Sequence, residues 1–207
     1  MATRHTLVET GLGQITLVAD DENLVGLYFP HHWYPPTAEM LGGYVDADSD
    51  ALFTATAGQL HEYLVGGRTG FDIPLALVGN AFQQRVWAML REIPYGATTT
   101  YGALADELGN RSLAQMVGQA VGHNPVSVLV PCHRVVGRDG KLTGYAGGLP
   151  RKRMLLDLEE PPAAPAPRLP RRSCTCGARN RAFIRICSPP QLQDRRGVGA
   201  GWREWGG

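Results

Sequence analysis

Apolar and polar residues alternate with a period of two through HTLVET, GQITLVAD and NLVGLYF, and GLG and DDE interrupt the alternation with good turn chemistry. The pattern predicts three short strands of an antiparallel sheet. In DALFTATAGQLHEYLVGG the period lengthens, with Leu52, Phe53, Leu60, Tyr63 and Leu64 near helical spacing until Gly66 and Gly67 stop the run. FDIPLAL reads as a short extended piece. NAFQQRVWAMLREI then carries Phe82, Val86, Met89, Leu90 and Ile93 on one helical face, behind the N-cap candidate Asn80 and before Pro94. TTTYGALADELG and SLAQMVGQAVGHN predict two short helices joined by GNR, where Gly109 and Asn110 suit a sharp turn, which is the outline of a helix-turn-helix. VSVLV reads as a short buried strand leading to Cys132, GRDGK as a turn, and LPRKRMLLDLE as a last helix through Leu155, Leu156 and Leu158.

These elements predict an α+β protein. A small N-terminal antiparallel sheet-plus-helix domain is expected over residues 1–78, and a mostly helical domain with the helix-turn-helix over 79–160. Residues 161–207, opening with PPAAPAPRLPRR, are Pro/Arg-rich and lack sustained apolar periodicity, so a disordered tail is expected there. A hydrophobic content of 43% is enough for a packed core, and 20 basic against 19 acidic residues leave a net charge of +1, which neither advertises nor excludes nucleic acid. The N-terminus lacks an apolar core of signal-peptide length, and no stretch approaches the roughly 18 apolar residues of a membrane span. A cytoplasmic protein with no membrane partner is expected.

Of four cysteines, at 132, 174, 176 and 187, a single one precedes residue 173, so it has no disulfide partner within the expected fold. From the residues alone, Cys132 is either a small buried hydrophobe or a thiol that the adjacent His133 helps to ionise. Neighbours on a strand point to opposite faces, so a Cys132–His133 contact needs a water relay or an irregular backbone. Likewise, the helix pair taken alone reads either as two core helices or as a DNA-binding element.

The dense motifs choose between these readings. FQQRVWAMLREIPYGATTTYGALA, VGQAVGHNP and VLVPCHRVVGRDGKLTGYAGGLPRKRMLLDLE, in this order and spacing, resemble the O6-alkylguanine-DNA alkyltransferases, also called methylated-DNA–protein-cysteine methyltransferases. The resemblance runs from about residue 80 to 159, and PCHRV is its most specific part. It implies a helical alkyltransferase domain that repairs DNA by direct reversal. An alkyl group on O6 of guanine, or O4 of thymine, passes irreversibly to the protein's own cysteine, one group per molecule.

By the same resemblance Cys132 is the acceptor, His133 the water-mediated base, Glu159 the carboxylate that orients it, and Tyr101 the phenol that helps guanine leave. Asn124 braces the turn before the active-site segment, Tyr145, Ala146, Gly147 and Gly148 wall the base pocket, and the carbonyls of Val135 and Cys132 read the base. Because O6 of a stacked, paired guanine cannot be reached in line, the nucleotide must be swung out of the duplex. The second helix is then expected in the minor groove, with Arg111, Ala114, Gln115 and Gly118 at the DNA. Lys141, Arg151, Lys152 and Arg153 are candidate phosphate contacts. Many members of the family carry arginine where this chain has Gln115.

Some relatives hold a structural zinc in the N-terminal region. Here that region has His5, His31, His32 and His61 but no cysteine, and Cys174, Cys176 and Cys187 lack zinc-module spacing, so neither metal nor cofactor is expected. The partner implied is double-stranded DNA carrying alkylated guanine, met by a monomer. Two rivals remain: a sensor that binds alkylated bases without transfer, and a cysteine hydrolase that turns over repeatedly.

Overall fold

The computed structural model describes residues 3–160, which belong to one compact unit; the tail expected over 161–207 lies outside the described residues. Strands β1 (Thr3–Thr10), β2 (Gly13–Asp20) and β3 (Asn23–Tyr28) form an antiparallel meander, as the alternation predicts. The β1–β2 turn needs Gly13, whose φ of +91° disfavours any side chain. After the short helix α1 (Ala38–Leu41), a two-residue strand β4 (Gly43–Tyr44) pairs parallel to β1, so the sheet is mixed, with order β3-β2-β1-β4. Two residues are too short a run for periodicity to reveal.

Helix α2 (Ala51–Leu64) packs its Phe53, Leu60 and Tyr63 into the core. Its N-cap, Asp50, accepts from the N–H groups of Leu52 and Phe53 at 3.0 and 3.1 Å, and is held by Arg4 at 2.5 Å. Helix α3 (Ala81–Arg91) starts at Asn80 with a capping box closed by Gln83. Its Trp87, buried beside Val86 and Leu90, donates its indole N–H to the carbonyl of Ala120 at 2.8 Å. That bond ties α3 to α5 (Ala114–Gly122), the second helix of the expected helix-turn-helix.

The first helix of that pair, α4 (Tyr101–Glu107), follows β5 (Thr99–Thr100) and is capped by Thr100. Gly109 at φ +88° makes the turn, and Asn110 caps the short 3₁₀ turn that leads into α5. Strand β6 (Val135–Val136) pairs parallel with β5, and α6 (Leu149–Glu159) closes the described chain. Among the described residues no helix is long and apolar enough to cross a membrane.

VSVLV is not a strand. The segment folds back on itself, with the N–H of Val130 donating to Val126 at 3.0 Å and Val128 at φ +73°. A β-branched residue in that region costs about 1–3 kcal/mol, which surrounding structure must hold in place. Burial of the whole run is the same for a strand and a buried turn, so hydrophobicity cannot separate them. Its edge instead joins the N-terminal sheet, the N–H of Leu27 on β3 donating to the carbonyl of Pro125 at 2.8 Å, while the extended FDIPLAL piece meets the same strand where the N–H of Leu24 donates to Pro74 at 2.9 Å.

Candidate active site

Asn124 organises the strained turn. Its amide N–H₂ donates to the carbonyl of Val130 at 2.9 Å and of Val126 at 3.4 Å, while its oxygen accepts from the N–H of Val126 at 3.1 Å. The chain then passes Pro131 into a single 3₁₀ turn, Cys132–Arg134. This irregular backbone frees Cys132 and His133 from the opposite-face rule of a strand. Both are buried, yet Cys132 lines a cavity of about 510 Å³.

Next along the chain from the thiol, His133 belongs to a buried charge cluster centred on Glu159, at the end of α6. His133 Nε2 sits 2.6 Å from Glu159 Oε1, and Arg134 Nε donates to Oε2 at 2.8 Å. The Tyr63 hydroxyl of α2 donates to Oε1, and the N–H of Gly96 to Oε2 at 3.1 Å. Burial pushes the carboxyl pKa up, but hydrogen bonds and charge from His133, Arg134 and Tyr63 outweigh it and hold Glu159 down at about 2. For His133, burial dominates and lowers the pKa against the pull of Glu159, so the imidazole is neutral at pH 7. With Nε2–H directed to Glu159, Nδ1 is the acceptor, and it has no protein partner among the described residues.

Burial also raises the Cys132 pKa, opposed by the Asn124 amide, the Lys152 charge and the Ser127 hydroxyl. The resting pair is therefore a neutral thiol beside a neutral imidazole. Lys152 corrects the sequence reading: it is not a surface phosphate contact but wholly buried, its ammonium donating to the carbonyls of Val135 and Thr143 at 2.5 and 2.8 Å. Three backbone carbonyls around it, the third that of Gly144, compensate a charge that would otherwise be expelled to solvent. Burial lowers its pKa to about 8, against the raising effect of Cys132.

Tyr101, the first residue of α4, faces the cavity and packs against Gly118 of α5. Burial raises its pKa, with Thr143 lowering and Cys132 raising it, so the phenol stays a donor. Tyr145 and Ala146 wall the cavity, as do Ala114, Gln115 and Gly118 on the N-terminal half of α5. Gly147 lies behind this wall: a Cβ there would come within 2.4 Å of Phe29, and its carbonyl accepts from Arg151 at 2.9 Å. The carbonyl of Val135 already accepts from Lys152. Arg111 is 68% exposed at its side chain and paired with Asp106. Lys141 and Arg153 are exposed, whereas Arg151 is half-buried, donating also to the carbonyl of Leu12 at 2.7 Å.

The sequence reading missed Arg134, Tyr63 and the aromatic pair Trp33 and Tyr34, which also line the cavity. A signal existed for the first two. An arginine inside the apolar run from Val126 to Val136, and a tyrosine on the core face of α2, both need a buried polar partner. Trp33 and Tyr34 lie in a loop without periodicity, and nothing local places them at this cavity.

Comparison with known proteins agrees along the chain. Residues 3–77 match the model of the ribonuclease-like domain of 6-O-methylguanine DNA methyltransferase, and residues 81–161 that of its DNA-binding domain. A methylated-DNA–protein-cysteine methyltransferase of Mycobacterium bovis is 44% identical over 156 residues, covering 75% of this chain and 92% of that protein. One of Methanosarcina acetivorans is 41% identical over 155 residues, covering 75% and 97%. The crystal structure of Mycobacterium tuberculosis OGT in complex with DNA superposes with a TM-score of 0.67 at 41% identity, covering 76% of this chain and 92% of that one. The chain belongs to the 6-O-methylguanine DNA methyltransferase family.

Proposed function

We propose that this protein repairs DNA by direct reversal, as a methylated-DNA–protein-cysteine methyltransferase that moves the alkyl group from O6 of guanine to Cys132. The observation that carries the residue assignment is a thiol lining a cavity of about 510 Å³, next in the chain to a buried His133–Glu159 pair whose other ring nitrogen has no protein partner among the described residues and can accept a proton. His133 Nδ1 takes the thiol proton through water, and Glu159 and Arg134 hold the ring and offset the charge it gains. The sulfur attacks the alkyl carbon, the C–O6 bond breaks with its electron pair on O6, and Tyr101 hydrogen-bonds the departing purine as a proton reaches it. Neutral guanine and a thioether result. Lys152 favours the thiolate by its charge and holds the 143–144 loop, while Asn124 keeps the active-site turn.

The partner is duplex DNA. Residues 79–160 carry the chemistry and the groove-facing α5, with Ala114 and Gly118 permitting close approach and Gln115 at the wedge position; residues 1–78 support them. A family member that acts on DNA and keeps a reduced thiol suits the cytoplasm, where thiols stay reduced. The nucleophile itself argues against a sensor, which needs no thiol at this place.

The test is a labelled O6-methylguanine duplex in excess. One label per protein, found by peptide mass on Cys132, is expected; repeated turnover would indicate a hydrolase, and label left on tightly bound DNA a sensor. Gln115→Arg adds a guanidinium that can stack in the vacated base step, so affinity for the lesion duplex is expected to rise roughly fivefold, as ~1 kcal/mol of cation–π attraction gives. Unchanged or weaker binding in a titration by fluorescence anisotropy would mean that another side chain is the wedge.

A further inference from the structure

Tyr145 and Ala146, on the wall of the cavity, belong to a stretch that its own backbone does little to hold still. Gly144 and Gly148, both at positive φ, bracket it, and glycine has the most backbone freedom to lose on ordering. The N–H of Gly148 donates to the carbonyl of Tyr145 at 2.9 Å, which closes a turn but ties it to no other element. Two consecutive residues of α6 supply the ties: Lys152 takes the carbonyls of Thr143 and Gly144, and Arg151 takes that of Gly147.

Arg151 differs from Lys152 in reaching across to the N-terminal sheet. Its Nη1 donates to Gly147 at 2.9 Å while Nε donates at 2.7 Å to the carbonyl of Leu12, in the β1–β2 turn and 139 residues away. The guanidinium carbon lies 4.9 Å from the centre of the Phe29 ring, next after β3. A Cβ on Gly13 would come within 3.3 Å of Nη2, so the glycine that the β1–β2 turn requires also leaves room for the arginine. Phe29 meets the wall directly as well: its ring centre is 6.1 Å from that of Tyr145, and it fills the space beside Gly147, 2.4 Å from where a Cβ would stand. Among the described residues no carboxylate pairs with Arg151. A planar fork that bridges two carbonyls is a stiff spacer, which the single ammonium of a lysine is not.

We propose that Arg151 is a positioning residue for the transfer reaction, pinning the Tyr145–Gly148 wall of the cavity to the β1–β2 turn and Phe29, so that the N-terminal sheet sets the shape of the pocket that receives the flipped base. This inference rests on the function proposed above. Arg151 thereby has a part other than the phosphate contact that the sequence suggests for it. With the wall released, the glycine-bracketed stretch no longer holds the base at one distance from the sulfur, and a misplacement of about 1 Å can cost roughly 10²-fold in rate.

The experiment measures single-turnover alkylation of Cys132 against the concentration of an O6-methylguanine duplex, which separates the rate at saturation from the half-saturating concentration. Anisotropy titrations of an undamaged duplex at two salt concentrations report the phosphate contacts. The full chain is compared with Arg151→Ala, Arg151→Lys and Phe29→Leu, each checked by a urea melt. Arg151→Ala is expected to lower the saturating rate at least tenfold, and to leave the affinity for undamaged duplex and its salt dependence within about twofold. Arg151→Lys keeps the charge without the fork and should recover only part of the rate. Phe29→Leu should lose less, and combined with Arg151→Ala it should fall short of the product of the two losses, because both act on one wall. An unchanged saturating rate in Arg151→Ala, or full recovery by lysine, would overturn the inference alone. So would weaker binding of undamaged duplex with a salt slope shallower by about one, the mark of a lost phosphate contact. Should Arg151→Ala not fold, wild-type saturating rates in both Arg151→Lys and Phe29→Leu would overturn it. No alkylation of Cys132 in the wild-type chain would overturn the function on which it rests.

Discussion

Cys132→Ala is expected to abolish alkyl transfer while leaving a folded protein that still binds the lesion duplex. Removing one sulfur atom from a buried side chain that lines a cavity costs about 1 kcal/mol, the transfer free energy of a single small group. The duplex contacts assigned to α5 are untouched. No other group at the site can replace it as acceptor: Tyr101 and Tyr145 have raised pKa values, each chiefly through burial, and the Lys152 ammonium is spent on three carbonyls. Mass spectrometry of the protein after incubation with labelled duplex, beside a gel-shift measurement and a urea melt, checks all parts. Transfer surviving in Cys132→Ala would move the acceptor elsewhere and end the account of the His133 relay.

Glu159→Ala should cost about 3–5 kcal/mol of stability, because it strands the buried Arg134 without its partner. The Tyr63 hydroxyl and the N–H of Gly96 lose their acceptor as well. Glu159→Gln keeps the shape and should lose less stability, yet its transfer rate should fall at least tenfold, since a neutral amide cannot offset a charged His133.

The carboxylate also sets a pH dependence. Its pKa of about 2 lies below the ordinary 4.5, so its stabilisation is complete above pH 4.5 and is lost as pH falls toward 2. The difference amounts to about 3 kcal/mol at 1.36 kcal/mol per unit. His133, whose pKa is lowered by burial, adds a loss that begins higher, below pH 6.5, where the unfolded chain takes up a proton that the folded chain refuses. Urea midpoints from pH 7 to 3 should therefore fall in the wild type. In Glu159→Gln the fall below pH 4.5 should be shallower by the share of Glu159, leaving that of Asp50, whose carboxyl Arg4 also holds low. A wild-type profile flat to pH 3 would contradict the buried cluster.

Arg134 and Lys152 show where local reading stops. Each sits in a stretch whose period and composition are legible, and the helix carrying Lys152 is where its apolar residues put it. Basic side chains default to solvent in any such reading, because burial of a charge is costly unless partners exist. For Lys152 the partners are carbonyls from residues 135, 143 and 144, and for Arg134 a carboxylate 25 residues away. Partners so far apart along the chain leave no periodic trace.

The β1–β3 meander, helices α2, α3 and α6 and the α4–α5 pair were determined by the sequence itself, since each depends on residues within a turn or two: alternation for the strands, Asn80 with Gln83 for α3, Gly109 and Asn110 for the bend before α5. PCHRV likewise marked the place of Cys132, the proposed acceptor. Tertiary structure alone decided that VSVLV coils into a turn with Val128 at positive φ, that Tyr63 reaches Glu159 across 96 residues, and that Trp33 lines the same cavity as Cys132. The physical reason is that burial and short-range backbone preference are local quantities, whereas satisfying a buried charge or hydroxyl requires a partner whose position only the packed chain defines.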